Sequence, residues 1–148
     1  MPTHTFMDLA LDEAHAAVEV GEVPVGCVIV RDGEVIAQAH NRTLADRDPT
    51  AHCEMLAIRQ AADALAPERL TDCDLYVTLE PCAMCAAAMS FARIRRLYYG
   101  VADPKGGAVE NGVRYFTSPT CHHRPEVYGG LAEAEASALL KDFFRARR

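Results

Sequence analysis

Two short stretches of the sequence carry residue types that can do chemistry together. Thr50-Ala51-His52-Cys53-Glu54 sets an imidazole two residues before a carboxylate, and Glu80-Pro81-Cys82-Ala83-Met84-Cys85 sets two thiols three residues apart. Cysteines three apart share one face of a helix's first turn, so both sulfurs can meet one ion. One imidazole and two thiolates form a set of soft or borderline ligands that suits zinc, with the fourth tetrahedral position left open for water. Such an ion draws the pKa of its water down toward roughly 7. Glu54 is then the candidate acid/base. Geometry adds a condition. At ~100° per residue, positions two apart on a helix point roughly 200° apart. His52 and Glu54 can therefore address one site only if that site lies beyond the helix end, near the axis, and a helix N-terminus supplies such a place.

Each half of this pattern has other uses. A histidine two residues from a glutamate is common on surfaces and in cores, and C-x-x-C also serves thioredoxin-like redox chemistry. Pro81 before the first cysteine, and the lack of a carrier-type fold pattern, fit that redox use poorly. A zinc-stabilised binding module would close its site with four protein ligands and would have no need of Glu54. The joint order H-x-E…P-C-x-x-C is the signature of zinc nucleobase deaminases.

The elements that must position these residues can be read from periodicity. Residues 6–20 read as a helix, with Phe6, Leu9, Ala10, Ala14 and Ala17 on helical spacing and Gly21 as its stop. Residues 24–31 and 34–40 are β-branched and apolar, and the Asp32-Gly33 pair between them is a strong hairpin signal. Thr50 suits the N-cap of a helix at 51–65, with Ala51, Met55, Ile58, Ala62 and Leu65 as its apolar stripe. Residues 73–79 form a near-continuous apolar run, as in a buried strand. Pro81 opens a helix at 82–92, and 95–100 reads as another strand. The Gly-, Pro- and His-rich segment 103–130 has no clear period. A last helix at 131–146 carries Ala136, Leu139, Leu140 and Phe143 on one face. Strands alternating with helices imply a layered α/β domain, and the hairpin makes its sheet mixed. With no repeat or linker, residues 1–148 read as a single domain.

Composition bounds the function. The chain has 148 residues, is 50% hydrophobic and carries a formal net charge of −6. No apolar run reaches the ~18–20 residues that span a bilayer, and the acidic start does not resemble a secretory leader, so a cytoplasmic protein without a membrane partner is expected. The net charge argues against broad electrostatic coating of nucleic acid. Thirteen of the fifteen basic residues are arginine, all but Lys105 and Lys141. They cluster at Arg93, Arg95 and Arg96 and again at Arg145, Arg147 and Arg148; such clusters are either phosphate contacts or solvated surface. Cysteines 27, 53, 73 and 121 read as packing residues rather than a disulfide framework.

The sequence resembles the bacterial tRNA adenosine deaminase family, within the cytidine deaminase-like zinc deaminases. The likeness runs over nearly the whole chain, through Glu22-Val23-Pro24-Val25-Gly26, Asn41-Arg42, Asp48 to Glu54, Leu75 to Cys85, Asp103 to Ala108, His123-Arg124 and the ending Asp142-Phe143-Phe144-Arg145. It implies a three-layer α/β/α fold with a five-stranded mixed sheet, and a homodimer. It also implies one Zn2+ per subunit on His52, Cys82 and Cys85, and hydrolysis of the wobble adenosine to inosine in a tRNA anticodon stem-loop. Glu54 matches the proton shuttle: it takes a proton from the attacking water and returns protons to ring nitrogen 1 and to the departing amine. Asn41 matches the residue that holds the target purine, although asparagine after a strand also suits a turn. Asp103 and Lys105 would line the mouth of the site. His122 and His123 could stack on or hydrogen-bond to splayed bases, although His122 stands where many relatives carry asparagine. Cys53 replaces the family's usual alanine and reads as a packed thiol. Phe144 lies ~100° from the core-facing Phe143 and is free to meet RNA with Arg145, and Arg147 and Arg148 are further phosphate candidates. The alternative within the class is a deaminase of a free base or nucleoside, such as guanine, cytosine or adenosine.

Overall fold

The apolar runs become strands and the stripes become helices, as their periods require. The computed structural model describes residues 5–147; Arg148 of the arginine-rich ending and residues 1–4 of the acidic start lie outside the described residues. The elements are α1 (Phe6–Glu19), β1 (Gly26–Arg31), β2 (Glu34–His40), α2 (Cys53–Leu65), β3 (Cys73–Leu79), α3 (Ala83–Ala92), β4 (Arg96–Val101), a 3-10 turn (Tyr115–Thr117), β5 (Glu126–Tyr128) and α4 (Glu133–Arg145). The sheet order is β2-β1-β3-β4-β5. β1 is antiparallel to both β2 and β3, while β3, β4 and β5 run parallel. The sheet is thus mixed and five-stranded, as expected.

Alternate strand residues face opposite layers. Cys27, Ile29, Leu75, Val77 and Leu97 pack with Cys53, Ala57, Ala61, Cys85 and Met89 of α2 and α3. Tyr76 and Tyr98 turn the other way, toward Met7, Ala10 and Leu11 of α1 and Ala136 of α4. The hairpin between β1 and β2 turns on Asp32 and Gly33, both at positive φ (51° and 78°), as a type I′ turn demands. Gly26 must be glycine because α1 crosses directly over it: a Cβ there would lie 2.2 Å from the Ala10 carbonyl oxygen.

The structure corrects several expectations. Thr50 does not cap α2. Its amide and hydroxyl both bond the Asp48 carboxylate, and the N-cap is His52. The buried face of α2 is Cys53, Glu54, Ala57 and Ala61, so Ala62 is exposed. On α1 the buried residues include Met7 and Leu11 rather than Phe6 and Leu9, because the helix packs one step further around its axis. The segment without a period holds β5, whose three residues are all exposed and so leave no alternating pattern. Arg95 makes two hydrogen bonds to Asp74, and Arg96 lies 3.6 Å from both Asp74 and Glu126, at the end of the sheet opposite the C-x-x-C pair. Arg93 is the left-handed C-cap of α3.

Candidate active site

Two helix N-termini meet beside the ends of the central strands. His52 is the N-cap of α2 and Cys82 is the N-cap of α3. N-cap side chains usually accept a bond from their own helix, yet neither does so here. Both point at one spot instead. The His52 Nδ1 atom lies 3.6 Å from the sulfur of Cys82 and 3.6 Å from that of Cys85. Among the described residues these three form the His/Cys/Asp/Glu group that could hold a metal, with donor atoms within 4.8 Å of one another. A tetrahedral zinc, with Zn–S about 2.3 Å and Zn–N about 2.0 Å, sets nitrogen and sulfur about 3.5 Å apart. Both nitrogen–sulfur separations therefore match those of a bound ion.

The electrostatics suit a thiolate at Cys82. The positive ends of two helix dipoles face the cluster. The Cys82 thiol is pulled down to about 4, chiefly by the Cys85 thiol donating to it and then by His52, against burial. The Cys85 thiol is raised in turn. His52 is raised, mainly by its bond with Cys82.

Glu54 is the second residue of α2 and only 4% exposed. His52 stands at the helix end as its N-cap, and Glu54 two residues on feels the charges of both His52 and Cys82. Burial pushes the Glu54 carboxyl above its ordinary value, opposed by a backbone bond and by the Cys53 thiol. That thiol, fully buried, donates to Glu54 Oε1 at 3.2 Å. Asn41, just after β2, turns its side-chain oxygen to the Cys53 amide at 2.8 Å and supplies the cap that His52 does not.

The candidate contacts beyond the metal divide. Asp103, Lys105 and Phe144 line one cavity of about 650 Å³ between α4 and the loop after β4, together with Leu79 and Val101. Phe144 is 50% exposed there. Arg145 is exposed beside it and bonds Asp142 at 3.2 Å. His122 is exposed, and His123 is engaged at 2.7 Å with the Ile94 carbonyl. Arg147 lies over the Phe143 ring at 3.6 Å.

Sequence reasoning passed over two buried carboxylates. Glu22, 1% exposed, accepts bonds from the amides of Leu44 and Ala45 and from Thr43, and so shapes the loop after Asn41. Glu80, 2% exposed, accepts from the amides of Asp103, Val109, Glu110 and Asn111 and from the Asn111 side chain. Burial raises its carboxyl, but these bonds outweigh burial and leave it below the ordinary value. An acid at the end of an apolar strand, directly before a proline, was the available signal: a buried charge must find partners.

The layered fold and the open three-ligand site with its buried acid define a zinc-dependent deaminase. Residues 2–101 match the family described as cytidine and deoxycytidylate deaminase zinc-binding region. The chain is 64% identical over 146 residues to the tRNA-specific adenosine deaminase of Agrobacterium fabrum, covering 99% of this chain and 95% of that one. It is 43% identical to the protein of that name from Bacillus subtilis, over 97% of this chain and 89% of the other. A solved structure from work on A-to-I editing by tRNA:A34 deaminases at the wobble position superposes with a TM-score of 0.89 at 64% identity, over 91% of this chain and 98% of that one. The chain belongs to the tRNA-specific adenosine deaminase family, and it is a zinc enzyme with one ion per subunit.

Proposed function

We propose that this chain hydrolyses the wobble adenosine of a tRNA anticodon loop to inosine and releases ammonia. The observation that carries the reading is that the donor cluster and a neighbouring cavity, whose lining does not include the donors, lie at one end of the sheet. A three-donor cluster and a buried carboxylate meet at two helix starts, and Asp103, Lys105 and Phe144 share one open cavity at the same end of the sheet. The 64% identity to a relative named for this activity supports it. His52, Cys82 and Cys85 would hold the zinc, which when bound supplies a Lewis acid and an activated water.

The chain's own residues do the rest. Glu54 would take a proton from the attacking water as its oxygen bonds carbon 6, and would deliver protons to ring nitrogen 1 and then to the exocyclic amine, whose bond to carbon 6 breaks to release ammonia. Its burial keeps water from levelling its basicity. Asn41 offers an amide N–H to the purine while its oxygen holds α2 in place. The single unpaired loop is gripped by stacking on Phe144 and by Lys105 and Arg145, so the net charge of −6 is no obstacle. His122, exposed in the loop before β5, is a further candidate contact. By family resemblance the enzyme is a cytoplasmic homodimer, and Phe91, 72% exposed on α3, offers apolar surface for a second copy to cover. Among the described residues no helix is long and apolar enough to cross a membrane. The test is ammonia release from an anticodon stem-loop RNA, free adenosine, guanine and cytosine in parallel. Release from the RNA is expected; release from a free base alone would assign the alternative activity.

A further inference from the structure

We infer that Glu80 is a positioning residue that sets the substrate-facing wall of the site by holding the loop 103–111 against the start of the metal-binding helix. The inference rests on the proposed tRNA activity for the meaning of that wall, but its structural basis is independent. The Glu80 carboxylate is the hub around which the loop is wound. Oε1 accepts from the Asp103 amide at 2.9 Å and from the Asn111 side chain at 2.7 Å. Oε2 accepts from the amides of Val109, Glu110 and Asn111 at 3.0, 2.9 and 3.0 Å. Convergent backbone N–H groups of this kind make an anion-binding nest, and here the chain fills the nest with its own side chain.

Two further observations show how tightly the loop is fitted. Gly107 passes so close that a Cβ would lie 2.4 Å from the Glu80 Cδ atom, so no larger residue can occupy that place without displacing the carboxylate. The Ala108 amide bonds the Pro81 carbonyl at 2.8 Å, which ties the same loop to the residue directly before Cys82. Asp103, at one end of the wound segment, accepts from the Lys105 and Gly106 amides and so carries both into the cavity wall. The metal ligand and the rim are thereby locked in one frame. Glu80 is not one of the three metal donors, and both its oxygens are taken up by the loop, so it acts through the loop.

The test uses the full chain and an anticodon stem-loop RNA, with KM, kcat, zinc content and the protection of the Asp103, Val109, Glu110 and Asn111 amides from hydrogen exchange all measured. Glu80→Gln turns one acceptor into a donor that faces donors. It should raise KM about tenfold while kcat stays within about threefold, since one or two charge-assisted hydrogen bonds to the loop are lost while the metal donors and Glu54 are unchanged. Zinc should remain bound, and protection should fall in this loop while it persists in α2. Unchanged KM and unchanged loop protection would overturn the inference, as would loss of zinc with kcat and KM falling together. Should Glu80→Gln fail to fold, Asn111→Ala removes a single bond and Gly107→Ala crowds the carboxylate; both should raise KM in the same sense, and neither doing so would overturn it. A parental chain that forms no inosine on the RNA defeats the functional reading instead, and the exchange measurement then decides the role of Glu80 alone.

Discussion

The side-chain oxygen of Asn41 accepts a hydrogen bond from the backbone amide of Cys53 at 2.8 Å. One amide side chain thus caps the helix that carries Glu54, and its nitrogen has no partner among the described residues. Asn41→Asp keeps the acceptor, adds a charge favourable at a helix N-terminus and removes the donor. Its melting temperature should hold while KM for the RNA rises about tenfold, the worth of one good hydrogen bond. Asn41→Ala should lose both functions, with stability lower by about 1 kcal/mol. Thermal melts alongside steady-state kinetics separate the two.

Glu54→Gln should fold and bind one zinc, yet lose turnover by about 10²–10⁴-fold, the usual contribution of a positioned acid/base. Metal analysis and inosine formation on the same preparation test this. Turnover close to that of the parental enzyme would remove Glu54 from the chemistry.

Chelation of the metal should abolish activity, and zinc should restore it. His52→Ala and Cys82→Ser should each weaken zinc retention, because a three-ligand site has no spare protein donor. Metal content after dialysis reads this directly.

Two neighbouring arginines should behave differently. Arg145 is exposed and, among the described residues, pairs with Asp142, a pair of small worth to stability. Arg145→Ala should weaken RNA binding and reduce the salt slope by about 0.7, as for one lost contact to a single strand. Arg147 stacks on Phe143, so Arg147→Ala should lower stability by about 0.5–1 kcal/mol and leave the salt slope alone. Binding titrations at several salt concentrations distinguish the two.

Alkaline pH should destabilise the fold through Cys73 and Tyr76. Burial raises the Cys73 thiol from 9.0 to about 11, and burial, then Tyr98, raises the Tyr76 hydroxyl from 10.0 to about 12. Both pKa values are raised on folding, so their stabilising effect is complete below the unfolded values and is lost as pH climbs through the folded ones. Denaturation midpoints should fall from about pH 9 upward, and Cys73→Ala should flatten the first part of that decline.

Legibility followed the physics of each segment. β2 and β3 were bounded in the sequence at the residues where they begin and end, because their apolar runs are flanked by turn or breaker residues. The hairpin at Asp32-Gly33 was equally plain, since few other residues adopt two successive positive φ angles. The cap of α2 was misassigned to Thr50 because the actual cap is made across the chain, from Asn41, and no local pattern encodes that. β5 was invisible because an exposed three-residue edge strand has no hydrophobic period. At the site, His52, Glu54, Cys82 and Cys85 announced themselves by spacing. Glu22 and Glu80 did not, because a buried carboxylate is explained only by the distant amides that surround it.

In the proposed activity the buried Glu54 and the three zinc donors act together on one adenosine in an anticodon loop. The most direct measurement incubates the purified enzyme, with Glu54→Gln beside it, with tRNA transcripts bearing adenosine at the wobble position and reads the products by reverse transcription and sequencing. Guanosine should replace adenosine at that single position with the parental enzyme and not with the variant. Adenosine retained there, while free guanine or cytosine is deaminated, would rule out the tRNA activity.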